Sequence, residues 1–199
     1  MPTRYIDGGK KEIMPRIQDI PKFTKICRYH VTVSWGFLRE HITHQQRLED
    51  KEAGLAILEM NPDFQRGHVW SEEQQIAYVE FKLRGGSGAN HVYFNCTGWN
   101  SDYRGPYVLV DGLQRITAVL AFLNNEIKAF GYYLSEYEDP RKVTSGISDL
   151  NFIFNVNDLE TYDEVLRWYL EMNEGGTPHT KQELDKVRTL LGGNDENNK

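Results

Sequence analysis

The residues best suited to chemistry in this 199-residue chain lie at a turn between a predicted strand and a predicted helix. Residues 107–110 are a short apolar run typical of a buried strand, and helical spacing of apolar residues resumes near Gln114. Asp111 and Gly112 make the turn between them. A helix start offers unpaired N–H groups to an anion, and Arg115 adds a fork that can hold two phosphate oxygens. This spacing predicts a phosphate site.

Asp111 adds a carboxylate that would bind a metal ion or accept a proton. The same pattern has a simpler interpretation, in which Asp-Gly is only a turn with a helix cap. Arg115 would then be an ordinary solvated side chain on the first turn. Both interpretations stay open at the level of local pattern.

A second candidate segment, residues 63–70, forms the loop before another predicted helix. Arg66 lies between Phe64 and Trp70, two aromatic residues of the kind that anchor a loop to the core. An arginine held between anchors has a fixed direction, which is how a guanidinium meets a phosphate productively. Asp63, in the same loop, is a candidate general base.

Composition limits the classes of protein that fit this chain. Its hydrophobic fraction of 39% is that of a soluble globular protein, and no apolar run approaches the roughly 20 residues of a membrane span. Two cysteines are too few for a disulfide framework, so we expect a cytoplasmic protein. The net charge of −6 argues against bulk attraction to DNA. Residues 1–28 carry a net charge of +4, however, and could touch a nucleic-acid backbone.

Periodicity and turn residues predict alternating strands and helices without an internal repeat. Strands are predicted at residues 29–35, 55–60, 91–96, 107–110, 127–135 and 151–156. Helices are predicted over residues 35–52, from Gln114, and after three capping boxes, Ser71 with Gln74, Thr161 with Glu164 and Thr180 with Glu183. Residues 136–148 are predicted to form a charged loop. We expect a basic arm over residues 1–28, one domain over 29–191 and a disordered tail over 192–199.

Three separated segments, taken together, resemble the N-terminal domains of GmrSD-type modification-dependent restriction enzymes. Residues 63–70, Asp-Phe-Gln-Arg-Gly-His-Val-Trp, resemble the family's F-Q-R-x-x-x-W segment. Residues 110–115, Val-Asp-Gly-Leu-Gln-Arg, resemble its D-G-Q-Q-R signature, with Leu113 in place of the first glutamine. Residues 172–184 resemble its closing N-x-G-G-T-P-L turn and helix, with His179 where leucine is usual. The motifs keep their order and rough spacing across residues 55–190.

The resemblance implies a ParB/sulfiredoxin-like fold, an α+β architecture with a mixed sheet flanked by helices that binds nucleotides. By resemblance, NTP (ATP or GTP) and Mg²⁺ are the expected cofactors, with Asp111 as the metal ligand. The expected catalytic residues are Asp63, Arg66, Asp111 and Arg115. The expected nucleotide-binding residues are Gly112, Gln114, Arg115, Thr117 and Asn173. DNA is the expected partner, in DNA modification or phage–host defence.

Three functions are compatible with these residues. The first is a phosphoryl-transfer enzyme, an NTPase or a kinase that phosphorylates a base or sugar in DNA; such chemistry needs positive charge on the phosphates, a magnesium ligand and a base. The second is a metal-dependent DNA nickase, for which only Asp63 and Asp111 offer carboxylates. The third is a non-catalytic sensor that binds nucleotide or modified DNA.

Overall fold

Five strands, distant from one another in sequence, form a mixed sheet with helices on both faces. The computed structural model describes residues 3–5, 11–13, 17–20, 23–24, 29–47, 58–65, 67–101, 107–145, 149–174 and 185–191. The strands are β1 (Thr3–Tyr5), β2 (Lys11–Ile13), β3 (Tyr29–Ser34), β4 (Leu58–Glu59), β5 (His91–Cys96), β6 (Tyr107–Asp111) and β7 (Asn151–Asn157). The helices are α1 (Trp35–Arg47), α2 (Glu72–Leu83), α3 (Leu113–Leu123), α4 (Arg141–Thr144), α5 (Tyr162–Glu174) and α6 (residues 185–191).

The five-stranded sheet has the order β3-β7-β5-β6-β4, so strands distant in sequence are neighbours. Strand β7 is antiparallel to β3 and parallel to β5, while β6 is antiparallel to β5 and parallel to β4. Strands β1 and β2 form a separate two-stranded antiparallel sheet. The expected α+β class, with a mixed sheet and flanking helices, is therefore confirmed.

Each face of the large sheet carries its own core cluster. Leu109 of β6 packs with residues of α1, α2 and α3 on one face, which we call the three-helix side. Its neighbours Val108 and Val110 pack with residues of α5 and α6 on the other face, the α5 side. Because successive side chains of a strand point to opposite faces, one strand supplies both cores. Strand β6 therefore lies between two buried cores, and the turn at Gly112 follows its end.

Most predicted elements are present. The capping box before α2 is complete, because Ser71 N donates to Gln74 Oε1 at 3.0 Å and Gln74 N donates to Ser71 Oγ at 3.3 Å. Helix α1 begins at Trp35 as predicted and is described to Arg47, and α3 begins at Leu113, one residue before the expected start. Residues 48–57, and Thr180 with Glu183, lie outside the described part of the chain.

The strand predicted over residues 127–135 is wrong. Ala129 and Tyr132 close a tight turn through two backbone hydrogen bonds of 2.9 and 3.0 Å, and a 3₁₀ helix, Leu134–Glu136, follows. Phe130 and Gly131, the central residues of the turn, have φ angles of 48° and 84°. The predicted loop after it also contains the short helix α4. The aromatic residues that suggested a strand are instead distributed around a turn.

Candidate functional site

The strand, turn and helix predicted around Gly112 are present, and packing fixes the turn. Gly112 has φ 115° and ψ 4°, a left-handed conformation that favours glycine. A Cβ atom added to it would lie 2.8 Å from Cγ1 of Val92 on β5. Any other residue at this position would therefore be strained and would also collide with the core. Ile116 N donates to Gly112 O at 3.0 Å, which forms the first turn of α3.

Asp111 and Arg115 are in direct contact. Arg115 Nη2 donates to Asp111 Oδ2 at 2.6 Å, an ion pair across one helical turn. The Asp111 side chain is 49% exposed and that of Arg115 is 22% exposed. Arg115 Nε is buried and has no hydrogen-bond partner among the described residues. A carboxylate open to solvent and a partly desolvated guanidinium thus lie together beside the turn.

The start of α3 opens on a small cavity of about 50 Å³. Gly112 makes no side-chain cap for this helix, so no side chain at that position occupies its first N–H groups. The cavity is lined by Gln65, Gly67, Val110, Asp111, Gly112, Leu113, Gln114 and Tyr169. Gln65, Gly67 and Tyr169 were not among the expected site residues. Gln65 could have been inferred from its place beside Arg66, whereas Tyr169 comes from a distant helix.

Gln114, expected in the nucleotide site, uses its side-chain amide to hold the second loop. Its Oε1 accepts hydrogen bonds from Val69 N at 2.9 Å and Trp70 N at 3.0 Å. Its Nε2 donates to Gly67 O at 2.7 Å. The structure therefore attaches the loop that ends at Trp70 directly to the first turn of α3. The side-chain amide of Gln114 is therefore engaged by the loop. Its backbone N–H, at the cavity wall, is the group that could bind a ligand.

The second loop is also anchored by its own side chains. Phe64 is buried on the α5 side, where its ring centroid lies 5.1 Å from that of Tyr169. The Trp70 and Tyr78 ring centroids lie 5.5 Å apart. Gln65 Nε2 donates to Leu109 O, which ties the loop to β6. Arg66 itself lies outside the described residues. The anchors on both sides of it bring this loop to the cavity edge.

Four expected site residues are not among those that line the described cavity: Asp63, Arg115, Thr117 and Asn173. Asp63 accepts a hydrogen bond from Tyr162 Oη, and its backbone oxygen accepts one from Lys186 Nζ. Burial, and then the bond to Asp63, raise the pKa of Tyr162 above its ordinary value of 10.0. Thr117 is half-buried farther along α3. Asn173 Nδ2 donates to Tyr169 O of its own helix at 2.6 Å.

Within the described ranges, no three His, Cys, Asp or Glu side chains are grouped to hold a metal ion. No helix among them is long and apolar enough to cross a bilayer. No family model, curated protein or solved structure matches the chain.

Proposed function

We propose that this chain is a nucleotide-dependent phosphoryl-transfer enzyme whose site is the turn at Gly112. The observation that carries the proposal is the 2.6 Å pair of Asp111 and Arg115 beside a helix start with no side-chain cap. The order of the three sequence motifs supports the same function by resemblance. Transfer to water would make the chain an NTPase, and transfer to DNA would make it a kinase that modifies DNA.

The groups around the cavity suit a phosphate. Backbone N–H groups at the start of α3 and the helix dipole favour negative charge there. Gly67 and Gly112 line the cavity without side chains, so phosphate oxygens can approach the backbone closely. Arg115 does not line the cavity itself but pairs with Asp111 at its wall. It has five N–H donors, and its buried Nε lacks a partner in the described structure. These groups would bind and orient the transferred phosphoryl group.

The Asp111 carboxylate fits the way proteins hold Mg²⁺. Such sites often use one or two carboxylates, and the nucleotide phosphates and water complete the coordination. Asp111 is half exposed at the cavity wall, and its bond to Arg115 is made through Oδ2. When bound, the ion would neutralise charge that develops on the phosphate oxygens. Asp111 would hold the ion, and Arg115 would hold a phosphate next to it.

Transfer of the labelled γ-phosphate from each NTP to water, nucleoside or DNA tests the proposal. We expect Mg²⁺-dependent transfer that falls about 100-fold or more in Asp111→Asn and in Arg115→Gln, because each removes a charge from the site. Asp185→Asn and Arg188→Gln are matched controls, since they remove an exposed ion pair of 3.1 Å on α6. The controls should keep the wild-type rate.

The other functions give distinct results in the same assays. Failure to transfer phosphate from any NTP to any of these acceptors would end the proposal. Relaxation of supercoiled plasmid in Mg²⁺ or Mn²⁺ would indicate a nickase instead. Loss of cellular activity in Arg115→Ala but not in Asp111→Ala would indicate a sensor that binds without catalysis.

A further inference from the structure

The tight turn at residues 129–132 places an aromatic residue in a backbone conformation that aromatic residues avoid. Phe130 has φ 48° and is 46% exposed. Both central residues of the turn have positive φ, which a glycine or an asparagine would adopt with less strain. Phe130 N donates to Glu80 Oε1 at 2.7 Å, so α2 also holds the turn in place. The turn itself does not explain why this position carries a phenyl ring.

The ring forms one wall of a second cavity, which has a volume of about 440 Å³. Leu83, Phe122 and Val143 supply further apolar lining, and Tyr137 adds a second aromatic wall. Tyr137 Oη donates to Ala129 O at 2.6 Å, which fixes that ring relative to the turn. The volume lies within the range of small-molecule pockets. Phe130, the residue with the strained backbone, therefore forms one wall of a cavity whose second aromatic wall is fixed by a hydrogen bond.

This cavity is separate from the candidate phosphate site. Phe122 lies near the C-terminal end of α3, whereas Gly112 precedes its N-terminal end. At 1.5 Å per residue the two ends of this helix are about 15 Å apart. None of the residues described as lining one cavity lines the other. A ligand here would not occupy the turn at Gly112.

The rim of the second cavity carries polar groups of a particular kind. Glu138 and Asp139 line it with carboxylates, which accept hydrogen bonds, and Lys142 adds a donor. Lys142 Nζ lies 3.5 Å from Asp139 Oδ2 in an exposed pair. Apolar and aromatic walls suit a flat ring, and acceptors at the rim suit a ring whose edge bears N–H groups.

We propose that this cavity binds a nucleobase with adjacent N–H donors, for which guanine is the best match. Guanine's N1–H and N2 amino groups point in the same direction, so one carboxylate can accept both in two parallel hydrogen bonds. The face of the base would stack on the ring of Phe130. The Arg84 guanidinium already lies over the Phe130 ring, 6.0 Å from its centroid. The base could belong to a free nucleoside or to a nucleic-acid strand.

Binding to the full-length chain, measured by calorimetry, tests this proposal without reference to phosphoryl transfer. Deoxyguanosine, deoxyadenosine and deoxyuridine serve as free nucleosides that lack phosphate, and single-stranded tetramers containing dG, dA or dU serve as the second source. We expect the guanine member of at least one series to bind about tenfold more tightly than the others. Binding of the nucleoside identifies a free ligand, and binding of the tetramer alone identifies a strand; either result supports the proposal.

Phe130→Gly is the decisive variant, because glycine accepts the positive φ and keeps the turn. We expect it to have an unchanged or higher melting temperature and about tenfold or more weaker guanine binding. Phe37→Ala, which removes an exposed phenyl ring on α1, is the control and should bind normally. Glu138→Gln with Asp139→Asn should remove the preference for guanine.

No binding in either series, equal binding of all three bases, or normal guanine affinity in Phe130→Gly would overturn the proposal. Arg115→Gln separates the two proposals, because it should lower phosphoryl transfer about 100-fold or more and leave deoxyguanosine binding intact. Loss of deoxyguanosine binding in Arg115→Gln would place the base at the Gly112 turn and would contradict a separate site.

Discussion

Gly112 meets two constraints at once that any side chain would violate. Its φ of 115° lies in the region that L-residues avoid, and a Cβ would lie 2.8 Å from Val92 Cγ1. We expect Gly112→Ala to lower the free energy of unfolding by roughly 2–4 kcal/mol, as the sum of backbone strain and overpacking. Urea denaturation followed by circular dichroism measures this cost.

Gly85→Ala is the matched control for that prediction. Gly85 also has a positive φ, of 80°, but nothing lies within 4 Å of a Cβ added there. Its substitution should therefore cost about 1–2 kcal/mol, from backbone strain alone. Val92→Ala should partly relieve the collision in the Gly112→Ala background. Equal costs for both glycine substitutions would show that contact with β5 does not constrain the turn.

Gln114 connects two segments of the site through three hydrogen bonds to the backbone of residues 67–70. In Gln114→Glu the new carboxylate still accepts from Val69 N and Trp70 N, but it faces Gly67 O without a proton to donate. We expect this substitution to lower the free energy of unfolding by about 1–3 kcal/mol at pH 7. The cost should shrink as the pH falls below about 4.3, where a protonated carboxyl can donate again.

The same substitution at Gln74 controls for the change in charge. Gln74 Oε1 accepts from Ser71 N in the capping box, and a glutamate performs this role equally well. Gln74→Glu should leave the free energy of unfolding nearly unchanged across this pH range. A pH-independent cost for Gln114→Glu would mean that the bond to Gly67 O does not hold the loop.

The sequence predicted the turn at Gly112 but not the contacts that surround it. The turn at Gly112 could be predicted because its cause, a glycine between a strand and a helix, is local. Gln114 was expected to face a ligand, but its partners lie more than forty residues earlier in the chain. Tyr169 reaches the cavity from α5 in the same way. Local pattern cannot report such contacts, because they depend on which elements pack together.

Among the helices, α5 shows how a local signal can determine an element boundary. Thr161 Oγ1 donates to Glu164 Oε2 at 3.0 Å and accepts from Glu164 N at 3.3 Å. We expect Thr161→Ala to cost about 1 kcal/mol at pH 7. Thr189→Ala on α6 is the control, because Thr189 bonds Asp185 O of its own helix and caps nothing. Urea denaturation of both variants measures the difference.

The capping box also predicts a pH dependence. Hydrogen bonds from the backbone N–H of Thr161 and then from its hydroxyl hold the pKa of Glu164 below its ordinary value of 4.5. A depressed carboxyl pKa contributes stability that is fully present above pH 4.5 and is lost as the pH falls through the lowered value. Thr161→Ala keeps the backbone bond, so its acid loss should be shallower than that of wild type. An equally steep loss would contradict the contribution of the hydroxyl.

Elements with clear local signals were predicted correctly, and the strand predicted over residues 127–135 shows where such signals fail. Capping residues determined the starts of α2 and α5, and alternation identified β3. Residues 127–135 have the aromatic content of a strand but form a turn, because Gly131 permits positive φ and Glu80 of α2 binds Phe130 N. The sequence contains the glycine, but the contact with α2 arises only in the folded chain.

For the whole molecule, the order of strands could not be predicted from pattern. Strand β7 lies between β3 and β5, although more than a hundred residues separate it from β3 in the sequence. Its core residues Phe152 and Phe154 pack on the three-helix side, where Val92 and Phe94 of β5 also lie. Tyr93 of β5 packs on the α5 side. The two cores are therefore built on the same strands, and each face of the sheet is the backing of the other.

This shared backing predicts that both faces unfold in one transition. Trp35 on the three-helix side and Trp168 on the α5 side are fully buried, so each reports on its own core. With 5-fluorotryptophan in the chain, ¹⁹F NMR follows both residues in one sample, and Trp→Phe variants assign the resonances. We expect their native signals to disappear with the same urea midpoint. A lower midpoint for Trp168 would show that α5 and α6 leave the sheet while the three-helix side stays folded, and the site at Gly112 would then lie on an independently unfolding edge.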